Sequence, residues 1–223
     1  MKKFFPFALV TLLAFLLAAC LRINVGTDVI VGSGPMVTRD FEAEGFYSIN
    51  ITGSYVLVWR ESSDVSVTIT AQENILENLN ITVRDQALRI DSHRGISVTS
   101  GNTPRLYIYA PYLTGISVNG AVTASGWDTV RVQDFSVDVN GAANLTLDFD
   151  VESMDISISG TANINFTGNV SSAVVRLSGA GSVNIAVTDY LDVELSGAGS
   201  VRYTGNPTVT SRISGLGTVR RAD

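Results

Sequence analysis

Chemistry in a protein needs reactive side chains in company, and this chain offers few. Its 223 residues hold one histidine, His93, and one cysteine, Cys20. His93 stands in the polar run Asp91-Ser92-His93-Arg94-Gly95, which reads as a solvated turn. A general base or a metal ligand needs partners that a lone imidazole lacks, so no serine, histidine and acid triad is assembled around it. Zinc would need further Cys or His, and the sequence has none. The carboxylates Asp148, Asp150, Glu152 and Asp155 crowd together and have the oxygen chemistry that a hard cation takes. They lack the spacing of a calcium loop and of the glycine-rich calcium nonapeptide, so a charged, solvated coil edge is the expectation. No catalytic residue, metal or cofactor is expected, and the chain is read as a non-enzyme.

Cys20 is set apart by what precedes it. Lys2 and Lys3 open the chain, and Phe4 to Ala19 is an apolar run interrupted by Pro6, shorter than the roughly 18 residues of a spanning helix. The run ends in Leu17-Ala18-Ala19-Cys20, which resembles the bacterial lipobox L-[AS]-[AG]-C. That resemblance implies cleavage before Cys20 and a diacylglycerol on its thiol; the alternative is an ordinary signal peptide or uncleaved anchor with an incidental cysteine. On this reading residues 1–19 are a lipoprotein signal peptide, residues 20–40 a lipidated tether, and residues 41–223 one elongated domain. Losing two lysines takes the formal charge from −6 to −8. So acidic a chain argues against nucleic acid as a partner, and contact with a membrane is expected through the lipid on Cys20. The expected location is the bacterial cell envelope, lipid-anchored and extracytoplasmic, at the outer membrane or cell surface. Leu21, rather than Asp, after the cysteine resembles outer-membrane sorting.

The elements that would carry any binding surface repeat. The phrases VNGAV, VNGAA, ISGTA, LSGAG, LSGAG and ISGLG place glycines at Gly120, Gly141, Gly160, Gly179, Gly197 and Gly215, spaced 21, 19, 19, 18 and 18 residues apart. A period just under twenty suits one coil of a β-solenoid. Two residues before these glycines stand Val118, Val139, Ile158, Leu177, Leu195 and Ile213, and apolar residues alternate with polar ones on both sides, the period of a half-buried strand. Glycine at the corner supplies either a positive φ or close approach of two backbones. A polar residue precedes each glycine (Asn119, Asn140, Ser159, Ser178, Ser196, Ser214), and a second column follows at Thr123, Asn144, Asn163, Ser182, Ser200 and Thr218. Both read as ladders with one rung per coil. One coil buries too few aliphatic side chains to offset the entropy of ordering its backbone, so stability must belong to the array.

Upstream, Phe46 to Arg60 alternates around Thr52-Gly53 and reads as a first, degenerate coil. Strand signals follow at Val65 to Thr70, Ile81 to Val83, Leu88 to Ile90, Ile96 to Val98 and Leu106 to Tyr109. Val29-Ile30-Val31 is a patch able to pair with the body. Glu73 to Leu79 is the one helical turn expected, a cap for the apolar end. Trp59, Tyr107, Tyr109, Tyr112 and Trp127 alternate with aliphatics and are expected in core or cap packing. An outward column of Ser117, Asp138, Ser157, Arg176, Glu194 and Arg212 is expected to carry a charge-alternating ladder at Arg176, Glu194 and Arg212, serving register more than binding.

The segment Ala110-Pro111-Tyr112-Leu113-Thr114-Gly115-Ile116-Ser117-Val118-Asn119-Gly120, followed by serial Ser-Gly-x-Gly corners, resembles the family described as putative auto-transporter adhesin, head GIN domain. The elements Phe46 to Ile51, Asn78 to Val83 and Leu88-Arg89-Ile90 are similar to that family's entrance, so the resemblance spans about residues 40–220. It implies an all-β, right-handed parallel β-helix with coils of about 18–21 residues, residues 41–110 being degenerate N-terminal coils and cap and residues 111–223 the regular coils. Three roles follow as expectations. The first is an adhesin-like, non-enzymatic β-helix that meets a glycan or protein ligand, the polar corner being its candidate face. The second is a structural or envelope-homeostasis module self-associating through the end near Arg212 to Asp223. A polysaccharide-active enzyme is a distant third.

Overall fold

The computed structural model describes residues 29–98 and 101–222. In chain order, β1 (Val29–Val31) and β2 (Met36–Phe41) lead to β3 (Ser48–Ile51) and β4 (Ser54–Glu61). Then come β5 (Ser66–Gln72), the helical turn α1 (Glu73–Leu76), β6 (Leu79–Arg84), β7 (Ala87–Ser92), β8 (Gly95–Ser97) and β9 (Arg105–Ala110). The repeats supply β10 (Gly115–Val118), β11 (Ala121–Ser125), β12 (Val130–Val139), β13 (Ala142–Ile158), β14 (Thr161–Leu177), β15 (Ala180–Leu195), β16 (Ala198–Thr204), β17 (Thr208–Ile213) and β18 (Leu216–Arg221).

These strands stack as a β-solenoid. One sheet, made of the stretches before each glycine corner, runs β7, β3, β10, β12, the second halves of β13, β14 and β15, then β17, parallel at every step. The other, after the corner, runs β9, β4, β11, the first halves of β13, β14 and β15, then β16 and β18, again parallel. Within β13 the inward-outward alternation slips at Glu152 and Ser153, two outward residues in a row, and there the coil rounds its other edge. Period-2 alternation on both sides of a coil leaves apolar side chains facing one shared interior.

Because the repeats are nearly equal in length, like residues stack on like. Ile90, Ile51, Val118, Val139, Ile158, Leu177, Leu195 and Ile213 form one continuous column, each in register with the next. All are buried except Ile213, 46% exposed in the last coil. Phe135, Phe149 and Phe166 stack inside, with ring centroids 4.8 Å apart at both contacts. Their planes are inclined at 58° and 66°, and tilted or edge-to-face aromatic contacts at this distance add to the stabilisation from burial alone.

The corner glycines owe their identity to close approach. Gly53 alone in this stack has a positive φ, 126°. A Cβ on Gly141, Gly160, Gly179 or Gly197 would lie between 1.8 and 2.0 Å from the carbonyl oxygen of the glycine one coil below. Those oxygens are occupied: Gly141 O accepts from Thr161 N at 2.8 Å and Gly160 O from Ala180 N at 2.9 Å. A side chain there meets a backbone that cannot yield without losing a ladder bond.

The entrance departs from the order of the sequence. The β3–β4 coil lies directly against the β10–β11 coil, so the chain between them leaves the stack and returns. That excursion places β7 beneath β3 and β9 beneath β4, in parallel. It then closes the end with antiparallel partners, β6 on β7 and β5 on β9, and β2, from ahead of the first coil, pairs antiparallel on β5. Hairpin-type pairing lets short connections finish a stack that a further coil would leave open. Ile75 and Leu76 of α1 are buried there, and β1 pairs in parallel with β8.

Candidate functional site

Two long lateral faces of different chemistry come from this stacking. The face outside β11 and the first halves of β13, β14 and β15 carries columns of small, uncharged residues. Thr123, Asn144, Asn163, Ser182, Ser200 and Thr218 align rung on rung, and Ser182 Oγ donates to Asn163 Oδ1 at 3.2 Å. Beside them stand Ser125, Thr146, Asn165, Asn184, Arg202 and Arg220. Asp148, on this face, accepts from Thr129 Oγ1 at 2.7 Å and Thr167 Oγ1 at 2.9 Å, tying three successive coils together.

The opposite face is charged. Asp134, Asp138, Asp155, Asp192 and Glu194 lie on it, with Arg176 and Arg212 among them. Arg176, Glu194 and Arg212 do align in one column, yet both arginines reach diagonally across to the preceding coil. Arg176 Nη1 donates to Asp155 Oδ1 and Oδ2 at 3.0 and 2.8 Å, and Arg212 Nη1 lies 3.7 Å from Asp192. The hydrogen bond and charge of Asp155 raise the Arg176 pKa further above its ordinary value. The pairs are exposed, so Arg176→Ala should change stability by about 0–1 kcal/mol, an effect that shrinks with added salt in urea titrations.

At the entrance end of the charged face, Tyr112, Thr114, Gln133, Asp134, Ser136 and Ser153 line a shallow groove of about 580 Å³. Tyr112 is 39% exposed and stacks on Tyr47, centroids 4.9 Å apart and planes 11° from parallel. Hydrogen bonding to Tyr47, then burial and the Tyr47 charge, raises the Tyr112 phenol above the usual tyrosine range. Sequence alternation placed Tyr112 with the core aromatics; that holds for Trp59 and Trp127, both buried, with Trp127 Nε1 donating to Leu57 O at 3.0 Å. Burial and the nearby Asp91 charge likewise push the Tyr55 phenol up.

The polar corner serves the fold in part. Ser178 Oγ donates to Ile158 O at 3.3 Å, and Ser159 Oγ donates to Asn140 Oδ1 at 2.5 Å. Asn140 Nδ2 donates to Asp138 Oδ1 at 2.6 Å, and Asn119 Nδ2 to Asn50 Oδ1 at 3.4 Å. Ser196 and Ser214 are exposed at the same column. His93 is an exposed turn residue whose backbone N–H donates to Asn78 O at 3.2 Å. Among the described residues no group of three His, Cys, Asp or Glu is placed to hold a metal ion. Nor is any described helix long and apolar enough to cross a membrane. Cys20 lies outside the described residues.

Solved structures share the architecture. A crystal structure described as a "putative adhesin" from Bacteroides fragilis superposes with a TM-score of 0.68 at 19% identity, covering 86% of this chain and all of that one. Another "putative adhesin", from Parabacteroides merdae, gives 0.55 at 21% identity over 87% of this chain and 99% of that one. A "putative lipid binding protein" from Parabacteroides distasonis gives 0.58 at 17% identity over 87% of this chain and all of that one. At such identities the likeness is one of fold. No curated protein matches the chain in sequence. The family model described as "Putative auto-transporter adhesin, head GIN domain" matches residues 45–221, and the chain belongs to that family.

Proposed function

We propose that this protein is a cell-envelope lipoprotein whose β-solenoid binds a ligand, with an adhesin-like and non-enzymatic role. The observation that carries this reading is the flat face of stacked hydroxyl and amide columns, which repeats at one coil spacing of about 4.8 Å. Rigid, regularly spaced donors and acceptors suit an extended ligand, because little ordering entropy remains to be lost on binding. Family membership and the neighbours described as adhesins support the same role. The corner ladder Asn119, Asn140, Ser159, Ser178, Ser196 and Ser214 borders this face and is proposed as part of it. Purified protein on glycan and matrix-protein arrays should retain ligands that an Asn119→Ala, Asn140→Ala, Ser196→Ala, Ser214→Ala variant holds less well. Equal binding by both, or none by either, sinks the reading.

Lipidation at Cys20 belongs to this proposal. Two or more acyl chains anchor stably where one does not, so Cys20→Ser should move most of the protein from the membrane to the soluble fraction without changing its strand content. Retention of Cys20→Ser at wild-type levels after carbonate washing removes the lipoprotein reading.

Self-association is favoured as a second reading by one observation. In the last described coil Ile213 is 46% exposed over Leu195, which is fully buried one coil below, and Leu216 is an 86% exposed apolar side chain beside it. Sedimentation at micromolar concentration tests it, and a strict monomer ends it.

A further inference from the structure

The charges of this chain are segregated along the stack. Residues 128–155 carry seven Asp or Glu and one Arg, whereas residues 195–222 carry four Arg and no acid. Within the basic stretch, Arg202 on β16 and Arg220 on β18 are register partners, both exposed at the far end of the face that carries the hydroxyl and amide columns. Like charges directly opposite on neighbouring strands are destabilising unless something compensates them. Arg60, Arg131, Arg176 and Arg212 each reach a carboxylate. Among the described residues Arg202 and Arg220 have no such partner. Arg221, beside them, donates to Asn206 Oδ1 at 3.5 Å, a neutral acceptor.

A groove reaches Arg202, the first of the pair. The β14–β15 register shifts between Asn165 and Val170, where Gly168 takes φ 89° and the coil shortens from 19 residues to 18. Beside that irregularity Asn165, Thr167, Asn184, Arg202 and Thr204 line a groove of about 330 Å³. Amides and hydroxyls are the groups that pair with sugar hydroxyls, and a guanidinium is the group that grips a carboxylate or sulfate in two parallel hydrogen bonds. One column therefore runs from neutral donors and acceptors (Asn165, Asn184) to paired cations (Arg202, Arg220), about 4.8 Å per rung.

We propose that this column and its groove bind a linear anionic polysaccharide, the sugar units lying along Asn165 and Asn184 and a carboxylate or sulfate group seated between Arg202 and Arg220. The proposal rests on the ligand-binding reading above and gives it a ligand class and a place. A nucleic-acid strand fits less well: the groove presents no exposed ring on which bases stack, and the rest of the chain is acidic.

The test uses the full chain carrying Cys20→Ser, with polygalacturonate and dextran sulfate as anionic probes, uncharged dextran as the neutral one and single-stranded DNA as a non-sugar polyanion. Wild-type residues at the site should bind an anionic glycan in low salt, more strongly than dextran or DNA, and lose most of that binding as salt shortens the screening length. Removing two charge-assisted contacts in Arg202→Ala/Arg220→Ala should weaken it by about tenfold or more, with strand circular dichroism unchanged. Arg202→Lys/Arg220→Lys should recover part of the loss, and Arg176→Ala, on the other face, should lose nothing. Undiminished binding by the double alanine variant, or equal binding to DNA, overturns the proposal. Binding to neutral dextran alone also overturns it while leaving the ligand-binding reading standing; retention of no glycan or protein ligand in the arrays above removes both.

Discussion

Gly160→Ala should destabilise the protein by at least about 3 kcal/mol, read as a shift of the urea midpoint at unchanged slope. The added methyl carbon would sit 1.9 Å from Gly141 O and 2.8 Å from Gly141 C, well inside any real contact. Flexible side chains relieve such clashes cheaply, but here the obstacle is backbone. Gly141 O accepts the 2.8 Å bond from Thr161 N, so moving it breaks the ladder on the far side of the same corner. Neighbouring coils repeat the arrangement, which leaves the strain nowhere to spread. The comparison variant is Gly126→Ala. Gly126 has φ 66° and nothing within 4 Å of a new Cβ, so only backbone strain of about 1–2 kcal/mol is expected. Equal costs for the two variants would mean that the corner glycines are chosen for torsion after all.

Phe149→Ala should cost about 3–5 kcal/mol, the range for emptying a large aromatic from a packed core. Its ring is fully buried and touches Phe135 on one side and Phe166 on the other, at 4.8 Å each. Those rings belong to three successive coils, so the cavity would weaken two interfaces at once. In a stack whose stability comes from nearest-neighbour contacts, the loss should also appear as faster amide exchange on both sides of β13, while the antiparallel entrance strands keep their protection. Tyr112→Ala, which removes a part-exposed ring stacked on Tyr47 at the surface, should cost far less. If Phe149→Ala proved as mild as Tyr112→Ala, the continuous interior described above would be wrong.

Much of this architecture is legible before any coordinates. Val139, Ile158, Leu177 and Leu195 recur at a near-constant spacing, and a fixed period of alternating strands admits few arrangements besides a stack. The same regularity gives the polar columns, because equal coil lengths put Asn144 over Asn163 without further information. The lone His93 in a polar turn likewise reads correctly as an exposed residue, since Asp91, Ser92 and Arg94 around it have little apolar surface to bury. The family resemblance at Ala110 to Gly120 agrees with the match to residues 45–221.

Sequence alone determined the repeat, its strand period and the interior column, because these depend on residues close together in the chain. Tertiary structure alone decided what depends on neighbours many residues apart. It placed the β3–β4 coil against β10–β11, sending the intervening chain beneath them, a choice fixed by strand pairing over more than fifty residues. It made close approach the reason for Gly141 and Gly160, since a positive φ and a crowded backbone both ask for a missing Cβ and look alike in sequence. And it turned the expected Arg176 and Arg212 ladder into diagonal pairs with Asp155 and Asp192, leaving Arg202 and Arg220 side by side, because a long side chain takes the carboxylate within reach rather than the one in line.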